Sequence, residues 1–397
     1  MLRRRRFLQF ASTAPLGFAL SGTSAHAGEP DISKEVMFRG RDGAGPAWFH
    51  PRACRLPDGR VFMTMQHING SDYFGPVHLT MSDDLGKSWS TPEAVDPLGW
   101  VEQADGSHEG VCDVVPEWHA ASKSVLAFGH NVFYSGPRFS RDQPPRWPVY
   151  AVWKDGRWGP RRKLEWDDPR GAYIYSNNCG QKVMRDDGDV VMSFTFGVRD
   201  KPRDVCGVIA TFDGETLKVK ETGPALSNTK GRGLLEPSVT FFQGRYYLTI
   251  RAEDDRGYVS VSDDGLNYAP QQAWAWHDNN EALDLSTTQQ HWLTRNDGLW
   301  LVYTRKDTSN ANVIRWRSPL WMARVDPESL RLIRETERVV LPLMGDGVAA
   351  PDEVALMGNF HVTSIDANED WVTVGEWHPR KQALSGDALL ARIRWKA

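Results

Sequence analysis

Histidine and amide side chains recur near the beginnings of strand-like segments along this chain. An imidazole can take or give a proton near neutral pH, and it is also a common metal ligand. A lone histidine is most often a satisfied core residue, whereas several at comparable places in a repeated structure indicate a shared site. The candidates are His50, His108 and Glu109 with Asp113, Asn178, Gln290 with His291, and Asn359 with His361. Metal binding stays an alternative that no local spacing tests, and we assign these residues to catalysis and substrate binding without a metal or cofactor.

The segments that must position these side chains read as short β-strands. Examples rich in β-branched and aromatic residues are Val61–Met65, Val190–Phe194, Tyr246–Ile250 and Trp300–Thr304. Turn signals such as Asp187-Gly188 bound them. No long amphipathic helical pattern separates them, so the sequence predicts an all-β fold and not an α/β barrel or a doubly wound sheet.

Two stretches share the turn motif Ser-x-Asp-(x)-Gly-x-x-aromatic, known as the Asp-box. They are Ser82–Trp89 and Ser262–Tyr268, and each follows a β-like run. In this motif the aspartate caps turn amides, the glycine takes a positive φ, and the aromatic ring packs under the turn. Weaker copies at Asp155, Asp213 and Asp326 place a marker roughly every 50–70 residues. Such a period indicates repeated blades.

The five markers and a final strand-rich stretch, Val354–Trp395, make six units. We therefore predict a six-bladed β-propeller over residues 28–397, with a strand at Val36–Arg39 completing the last blade. The first strands of propeller blades surround one axis, so the polar residues named above should converge on a common pocket.

At this level the chain resembles the sialidase-like (BNR/Asp-box) propeller superfamily over nearly its whole length. The best match is Glu236-Pro237-Ser238-Val239, followed by Gly244-Arg245, a strand, Arg251 and the motif at Ser262. The resemblance implies that Glu236 assists a nucleophile and that Arg251 holds a substrate carboxylate. A glutamate opening an innermost strand, with an arginine opening the next, can face the central pocket. A strand-end ion pair is the alternative for Glu236.

Further residues follow from the same resemblance. Asp72 lies where the family carries its acid/base aspartate, although Gly70-Ser71-Asp72 also reads as a turn. Arg317, in a cluster with Arg315 and Arg324, is the expected arginine of blade five, and a rim salt bridge is its alternative. Two or three convergent arginines would form a site for a carboxylate or sulfate.

The chain departs from this family at two places. Phe49 and His50 stand where the family has the Arg-Ile of its first motif, so Arg52 or Arg55 would have to replace the first clamp arginine. The segment Gly358–Thr363 stands where sialidases place a nucleophilic tyrosine, and it contains none. A phenol avoids the repulsion between a carboxylate nucleophile and a substrate carboxylate, so its absence argues against ordinary sialidase chemistry.

The first 27 residues resemble an export signal. Arg3–Arg6 form a charged head, Phe7–Leu20 an apolar stretch, and Ala25–Ala27 a small-x-small cleavage site, with twin-arginine spacing in the head. We expect a periplasmic or secreted protein that is not anchored in a membrane once the signal is removed.

Charge argues against a nucleic-acid-binding protein, and cysteine content argues against a disulfide-stabilised one. With 47 basic and 51 acidic side chains, the chain has no positive excess to hold a nucleic-acid backbone. The four cysteines form no Cys-x-x-Cys pair, and a core of this size needs no disulfides, so we expect buried thiols.

These observations favour a secreted sialidase-like glycoside hydrolase whose partner is an acidic glycan. Asp72 would be the general acid and Glu236 the base or assistant, with Arg251 and Arg317 binding the anion. One alternative is a polysaccharide lyase on uronic-acid glycans, in which a histidine abstracts the C5 proton. Another is a glycan-binding propeller without turnover.

Overall fold

The computed structural model describes residues 29–285, 288–348, 354–378 and 385–396. These residues form six antiparallel sheets, each built mainly from consecutive strands. The sheets are the blades of a six-bladed β-propeller, which confirms the predicted fold class. The signal segment predicted at residues 1–27 lies outside the described residues.

The strands are numbered in chain order and grouped here by blade. Blade one holds β2 (Trp48–Arg55), β3 (Val61–Gly70), β4 (Tyr73–Ser82) and β5 (Glu93–Ala94). Blade two holds β6 (Val101–Glu102), β7 (His108–His119), β8 (Ser124–Tyr134), β9 (Pro148–Lys154), β10 (Arg157–Trp158) and β11 (Arg162–Lys163). Blade three holds β12 (Ile174–Ser176), β13 (Val183–Met184), β14 (Asp189–Gly197), β15 (Asp204–Phe212) and β16 (Leu217–Thr222).

The remaining blades follow the same order. Blade four holds β17 (Leu235–Phe242), β18 (Arg245–Arg251), β19 (Gly257–Ser262) and β20 (Gln272–Ala273). Blade five holds β21 (His291–Arg295), β22 (Gly298–Tyr303), β23 (Leu320–Asp326) and β24 (Arg331–Leu341). Blade six holds β25 (Leu356–Met357), β26 (His361–Ser364), β27 (Glu369–Trp377), β28 (Ala388–Arg394) and β1 (Asp31–Phe38).

The ring is closed by a strand from the beginning of the described chain. β1 pairs antiparallel with β28, with Asp31 opposite Arg394 and Val36 opposite Leu389. The closing strand predicted at Val36–Arg39 overlaps the end of β1, which begins earlier, at Asp31, and ends at Phe38. Joining the two ends of the chain within one blade leaves no gap in the ring through which it could open.

Helices contribute little to this fold. In the described part of the chain there are five short 3₁₀ helices: Arg41–Gly43, Asp96–Leu98, Pro169–Gly171, Thr308–Asn310 and Ile314–Trp316. None of the helices within the described ranges is long and apolar enough to cross a membrane. The four cysteines are free and buried, as expected.

The apolar core lies within and between the blades. Trp274, Trp292 and Trp371 are fully buried between neighbouring sheets. Each such side chain contributes about 1.5–3 kcal/mol or more through burial. The abundance of tryptophan in the sequence is thus largely explained by packing.

The two sequence motifs at Ser82 and Ser262 form compact turns. Asp84 accepts hydrogen bonds from the backbone N and the Oγ of Ser88, which together with Ser82 lower its pKa to about 2. Asp264 is held in the same way by Asn267. Both aspartates are exposed, so their carboxylates stabilise turns on the surface.

Candidate functional site

A cavity of about 350 Å³ opens at one axial end of the propeller, where the innermost strands of the blades begin. Its volume is near the lower end of the range typical of small-ligand sites, about 300–1,000 Å³. Three carboxylates line it, those of Asp72, Asp113 and Glu236. The arginines that line it are Arg146, Arg203, Arg232, Arg251, Arg315 and Arg317. Cationic groups therefore outnumber anionic ones in the pocket.

In five of the six blades, a break in the innermost strand places one polar side chain at this cavity. In blades one, two and four the pairing register slips at His50, Asp113 and Glu236. In blade three the strand is interrupted between β12 and β13, and Asn178 lies in the gap. All four residues have left-handed backbone, with φ of 51°, 57°, 45° and 52° in the order His50, Asp113, Glu236, Asn178.

This conformation costs about 1–3 kcal/mol at each such residue, less for asparagine and aspartate. Bulges of this kind re-aim side chains and are frequent beside active sites. In blade six the break between β25 and β26 carries Asn359, which also lines the cavity. The blade repeat thus accounts for how residues far apart in sequence meet in one place.

Asp113 lies at the inner end of the cavity in a polar network. Arg52 Nη2 donates to Asp113 Oδ1 at 2.6 Å, and Asn359 Nδ2 donates to the same oxygen at 3.3 Å. Burial alone would raise the pKa of Asp113, but Arg52, with His50 and His130, holds it well below its usual range. Asp113 is therefore ionised, and its carboxylate forms part of the inner wall of the cavity.

His50 is neutral at ordinary pH. Burial, opposed by the nearby carboxylate of Asp113, lowers its pKa to about 3. Its Nε2 lies 3.7 Å from Asp113 Oδ1. Burial also lowers the pKa of His130, which lines the same cavity, to about 3. Each imidazole can accept a proton only if a bound ligand or a developing charge stabilises the cation.

Glu236 and Arg251 face each other across β17 and β18. Arg251 Nη1 donates to Glu236 Oε1 at 2.6 Å, and their side chains are 4% and 15% exposed respectively. The second carboxylate oxygen, Glu236 Oε2, is buried and has no hydrogen-bond partner among the described residues. That oxygen can accept a proton or a hydrogen bond from a ligand or water.

Two other predicted residues lie on the cavity wall. Asp72 is exposed in the turn between β3 and β4, at the pocket mouth, with a φ of 55°. Arg317 Nη1 donates to Asn359 Oδ1 at 3.3 Å. Burial and the neighbouring Arg251 and Arg315 lower the pKa of Arg317 to about 10, which leaves it charged at neutral pH.

One group in the cavity has the composition of a metal site. Ligand atoms of His50, Cys112 and Asp113 lie within 4.8 Å of one another. However, the Arg52 guanidinium already occupies Asp113, and its charge opposes a cation. Burial raises the pKa of the Cys112 thiol well above its usual value, which opposes the thiolate that a metal needs. These side chains therefore do not fit a metal ion.

The structure does not bring all the predicted residues to this cavity. His108 and Glu109 lie in the part of β7 that extends before the bulge and pairs with β6, where Glu109 binds Arg161 at 2.7 Å. Their placement in a central pocket was wrong, because the residue that the bulge turns inward is Asp113. Arg52 is fully buried behind Asp113 and does not reach the cavity surface, so it cannot replace a clamp arginine.

Gln290 and His291 are buried in the interior, away from the cavity. Gln290 Oε1 accepts from Thr249 Oγ1 at 3.0 Å, and His291 Nδ1 lies 2.8 Å from Ser238 Oγ. Both residues tie blade five to blade four. Their placement in the predicted pocket was therefore wrong; His291 is a core residue whose buried Nε2 has no hydrogen-bond partner among the described residues.

His361 lies in a different place from the other candidates. It lines a second cavity of about 300 Å³, together with Glu117, Lys182 and Thr363. These residues come from further along the innermost strands, so this cavity is at the opposite end of the axis. The assignment of His361 to the first pocket was wrong because β26 begins after the break that carries Asn359.

Sequence reasoning missed several residues of the pocket. Arg146 lies in the β8–β9 loop, Arg203 in the β14–β15 loop, and Arg232 just before β17. None of these three arginines lies in a recognisable motif. Arg146 and Arg203 share only one feature, which is that each is a basic residue in a loop near the propeller axis. His130 was missed because it sits late in β8, opposite Cys112 across the strand pair.

Comparison with known proteins agrees with the fold. No protein-family model and no curated protein matches the chain. A solved structure of a protein of unknown function from Dyadobacter fermentans is 14% identical, with a TM-score of 0.62, over 92% of this chain and 99% of its own. The Hadza microbial sialidase Hz136 is 12% identical, with a TM-score of 0.64, over 91% of this chain and 68% of its own.

A third similar structure is the Trypanosoma rangeli sialidase. It is 13% identical, with a TM-score of 0.57, and the match covers 91% of this chain and 59% of that one. The chain therefore spans about three fifths of the length of that sialidase. Together these comparisons show that the chain has the sialidase-like six-bladed propeller fold, and identities this low carry no further conclusion about activity.

Proposed function

We propose that this protein is a carbohydrate-active enzyme, a sialidase-like exo-glycoside hydrolase whose substrate is an acidic glycan. The observation that carries the proposal is the axial cavity, in which six arginines surround three carboxylates. Guanidinium groups bind carboxylates and sulfates with two parallel hydrogen bonds, so such a pocket favours an anionic sugar. A pocket of about 350 Å³ that opens at one end of the propeller axis suits the end of a glycan better than the middle of a chain.

In this proposal Asp72, at the mouth of the cavity, is the general acid, and Glu236, on its wall, is the general base. Asp72, exposed at the mouth, would give its proton to the glycosidic oxygen as the leaving sugar departs. Glu236 would take a proton from the attacking water through Oε2, while Oε1 stays paired to Arg251. No tyrosine is among the described residues that line the cavity, which supports a route without a phenolic nucleophile.

A lyase is the second candidate, and the position of His50 favours it. In this reaction the imidazole takes the C5 proton of a uronic acid, the arginines neutralise its carboxylate, and the bond to the leaving oxygen breaks. His50 is neutral and lies beside the ionised Asp113, whose charge would stabilise the imidazolium as it forms. The product of a lyase is an unsaturated uronide, whereas a hydrolase gives a saturated sugar.

The test is a substrate screen with the purified protein. Sialosides, uronide polysaccharides and sulfated glycans are assayed for new reducing ends and for near-ultraviolet absorbance. Reducing ends without absorbance support the hydrolase, and both signals together support the lyase. Binding of an acidic glycan without either signal would point to the non-catalytic glycan-binding alternative, and no interaction with any of them would contradict the proposal.

A matched pair of variants tests the role of Glu236. Glu236→Gln should reduce the rate of hydrolysis by at least about 100-fold, since it removes the charge of the side chain and keeps its shape. Glu109→Gln is the control, because Glu109 is also paired to an arginine, at 2.7 Å, with its side chain 16% exposed, but lies outside the cavity. Equal activity of the two variants would show that Glu236 has no chemical role.

We also propose export of the protein through the segment at residues 1–27. Expression of the full chain with a C-terminal tag, followed by N-terminal sequencing of the periplasmic fraction, should give a chain that begins after Ala27. Retention of the uncleaved chain in the cytoplasm would contradict this.

A further inference from the structure

The arginines of the axial cavity fall into two groups that lie on different blades. One group, Arg251, Arg315 and Arg317, comes from blades four and five, close to Glu236. The other, Arg146 and Arg203, comes from loops of blades two and three. Only the first group contains the arginines that the sequence marks for a carboxylate.

Arg146 and Arg203 occupy equivalent places in consecutive blades. Each lies in the loop between the second and third long strands of its blade, and each forms a parallel bridge to the start of the next blade. Arg146 pairs with Ile174, and Arg203 pairs with Gly233. Backbone hydrogen bonds fix both loops, with Arg146 N donating to Tyr173 O and Arg203 N donating to Arg232 O. The fold therefore fixes the backbone from which both guanidinium groups extend.

In the described part of the chain this pair of arginines lacks a directly paired carboxylate, and the carboxylates of Asp113 and Glu253 act on Arg146 and Arg203 only at longer range. No carboxylate among the described residues forms an ion pair with Arg146 or Arg203, and the only hydrogen bond from either guanidinium is from Arg146 Nε to Asn131 O. Burial, with smaller contributions from the neighbouring charges of Arg146 and Arg232, lowers the pKa of Arg203 to about 10. The nearby Arg232 is already paired with Glu253. Two guanidinium groups without a directly paired carboxylate at the wall of a cavity form a site for an anion.

We propose that Arg146 and Arg203 form a second anion subsite, so that the ligand of this cavity carries two anionic groups, one at Arg251 and Arg317 and one at the blade-two and blade-three wall. This inference rests on the proposed function and specifies its substrate class, an acidic sugar that bears a further sulfate or carboxylate. A sugar with one carboxylate would leave the second pair of guanidinium groups without a counter-charge.

The test is titration calorimetry with paired probes at constant ionic strength. The probes are the methyl glycosides of glucuronic, galacturonic and sialic acids and a mono-O-sulfated form of each. The wild-type protein should bind at least one sulfated form about tenfold more tightly than its unsulfated parent, since a charge-assisted pair is worth about that factor. Arg203→Gln and Arg146→Gln should remove this gain and leave the affinity for the unsulfated parent within about twofold.

Arg199→Gln is the matched control for loss of charge. Arg199 lies in the same loop as Arg203, but it is exposed, pairs with Asp142 and does not line the cavity. This variant should keep the gain from the sulfate. Thermal melting checks that Arg146→Gln, which also loses the bond to Asn131, remains folded.

Two results would overturn the subsite. One is equal affinity of sulfated and parent sugars for the wild-type protein. The other is an equal loss for both sugars in Arg203→Gln, which would show a general effect of charge. If no sugar binds, the proposed function fails separately, and inorganic sulfate then decides the subsite: binding weakened in Arg203→Gln but not in Arg199→Gln supports it, and no binding rejects it.

Discussion

Replacing Asp113 by asparagine should destabilise the protein strongly, because it leaves the buried charge of Arg52 without a partner. Arg52 is completely buried, and its Nη2 lies 2.6 Å from Asp113 Oδ1. Its Nε and Nη1 have no hydrogen-bond partner among the described residues, so Asp113 is the main compensation for the charge. Asparagine tolerates the left-handed backbone of position 113, so strain does not confuse the result.

Breaking a buried ion pair by removing one partner costs about 3–5 kcal/mol. The entropy of unfolding is about 2.1 cal/mol/K per residue, or roughly 0.8 kcal/mol/K for 397 residues. The expected decrease in melting temperature for Asp113→Asn is therefore roughly 4–6 °C. Thermal unfolding followed by calorimetry or circular dichroism at pH 7 measures it.

Two further variants test whether the loss of stability comes from the buried charge of Arg52. Asp263→Asn breaks a surface pair with Arg245, whose atoms lie 2.9 Å apart, and should cost no more than about 1 kcal/mol. Arg52→Met combined with Asp113→Asn removes the buried charge as well and should recover most of the lost stability. A melting temperature of Asp113→Asn within about 1 °C of the wild type, or a double variant less stable than Asp113→Asn, would refute the reasoning.

Three other outcomes are expected. Glu236→Gln should lose hydrolysis of the acidic substrate while the protein remains folded, with some decrease in melting temperature because the buried Arg251 loses its charged partner. Equal turnover by the variant and the wild type would contradict the role of Glu236. His361→Gln should keep kcat/KM within about threefold, since His361 lies in the second cavity, and a loss of more than about tenfold would link that cavity to the reaction. Stability should fall as the pH decreases from about 6.5 toward 3, because burial lowers the pKa of His50, His130 and His291 to about 3 and the unfolded chain then binds protons that the folded protein does not. Each histidine contributes up to about 1.4 kcal/mol per pH unit in this window. The free energy of unfolding of His291→Gln, measured with urea at pH 7, 6 and 5, should therefore decrease less steeply with falling pH than that of the wild type. An identical pH dependence of the two proteins would contradict the assignment.

Much of the architecture is determined by local sequence. Short apolar runs such as Tyr246–Ile250 can bury both faces only between neighbouring blades, and turn residues such as Asp187-Gly188 set where each strand ends. These signals act over a few residues, so they can be read without knowing the fold. The order of blades and the closing strand near Val36 follow from their repetition.

The candidate site was only partly predictable, because its residues depend on where a strand breaks. Glu236, Arg251, Asp72 and Arg317 line the cavity that the sequence suggested. For blade two the sequence indicated His108, Glu109 and Asp113 without distinguishing between them, and the bulge in β7 presents only Asp113 to the cavity. A shift of this kind changes which face a side chain occupies, and no local pattern marks its position.

The sequence indicated two arginines of the pocket, Arg251 and Arg317, whereas its other arginines became evident only from the tertiary structure. The sequence contains nearly equal numbers of basic and acidic side chains, which gives no hint of a cationic pocket. Arg146 and Arg203 are far from Arg317 in sequence, and they meet it only because loops of successive blades reach the same axis. Residue types and repeats thus determine a propeller with an axial site, whereas the charge within that site depends on which distant loops converge there, a property of the closed ring.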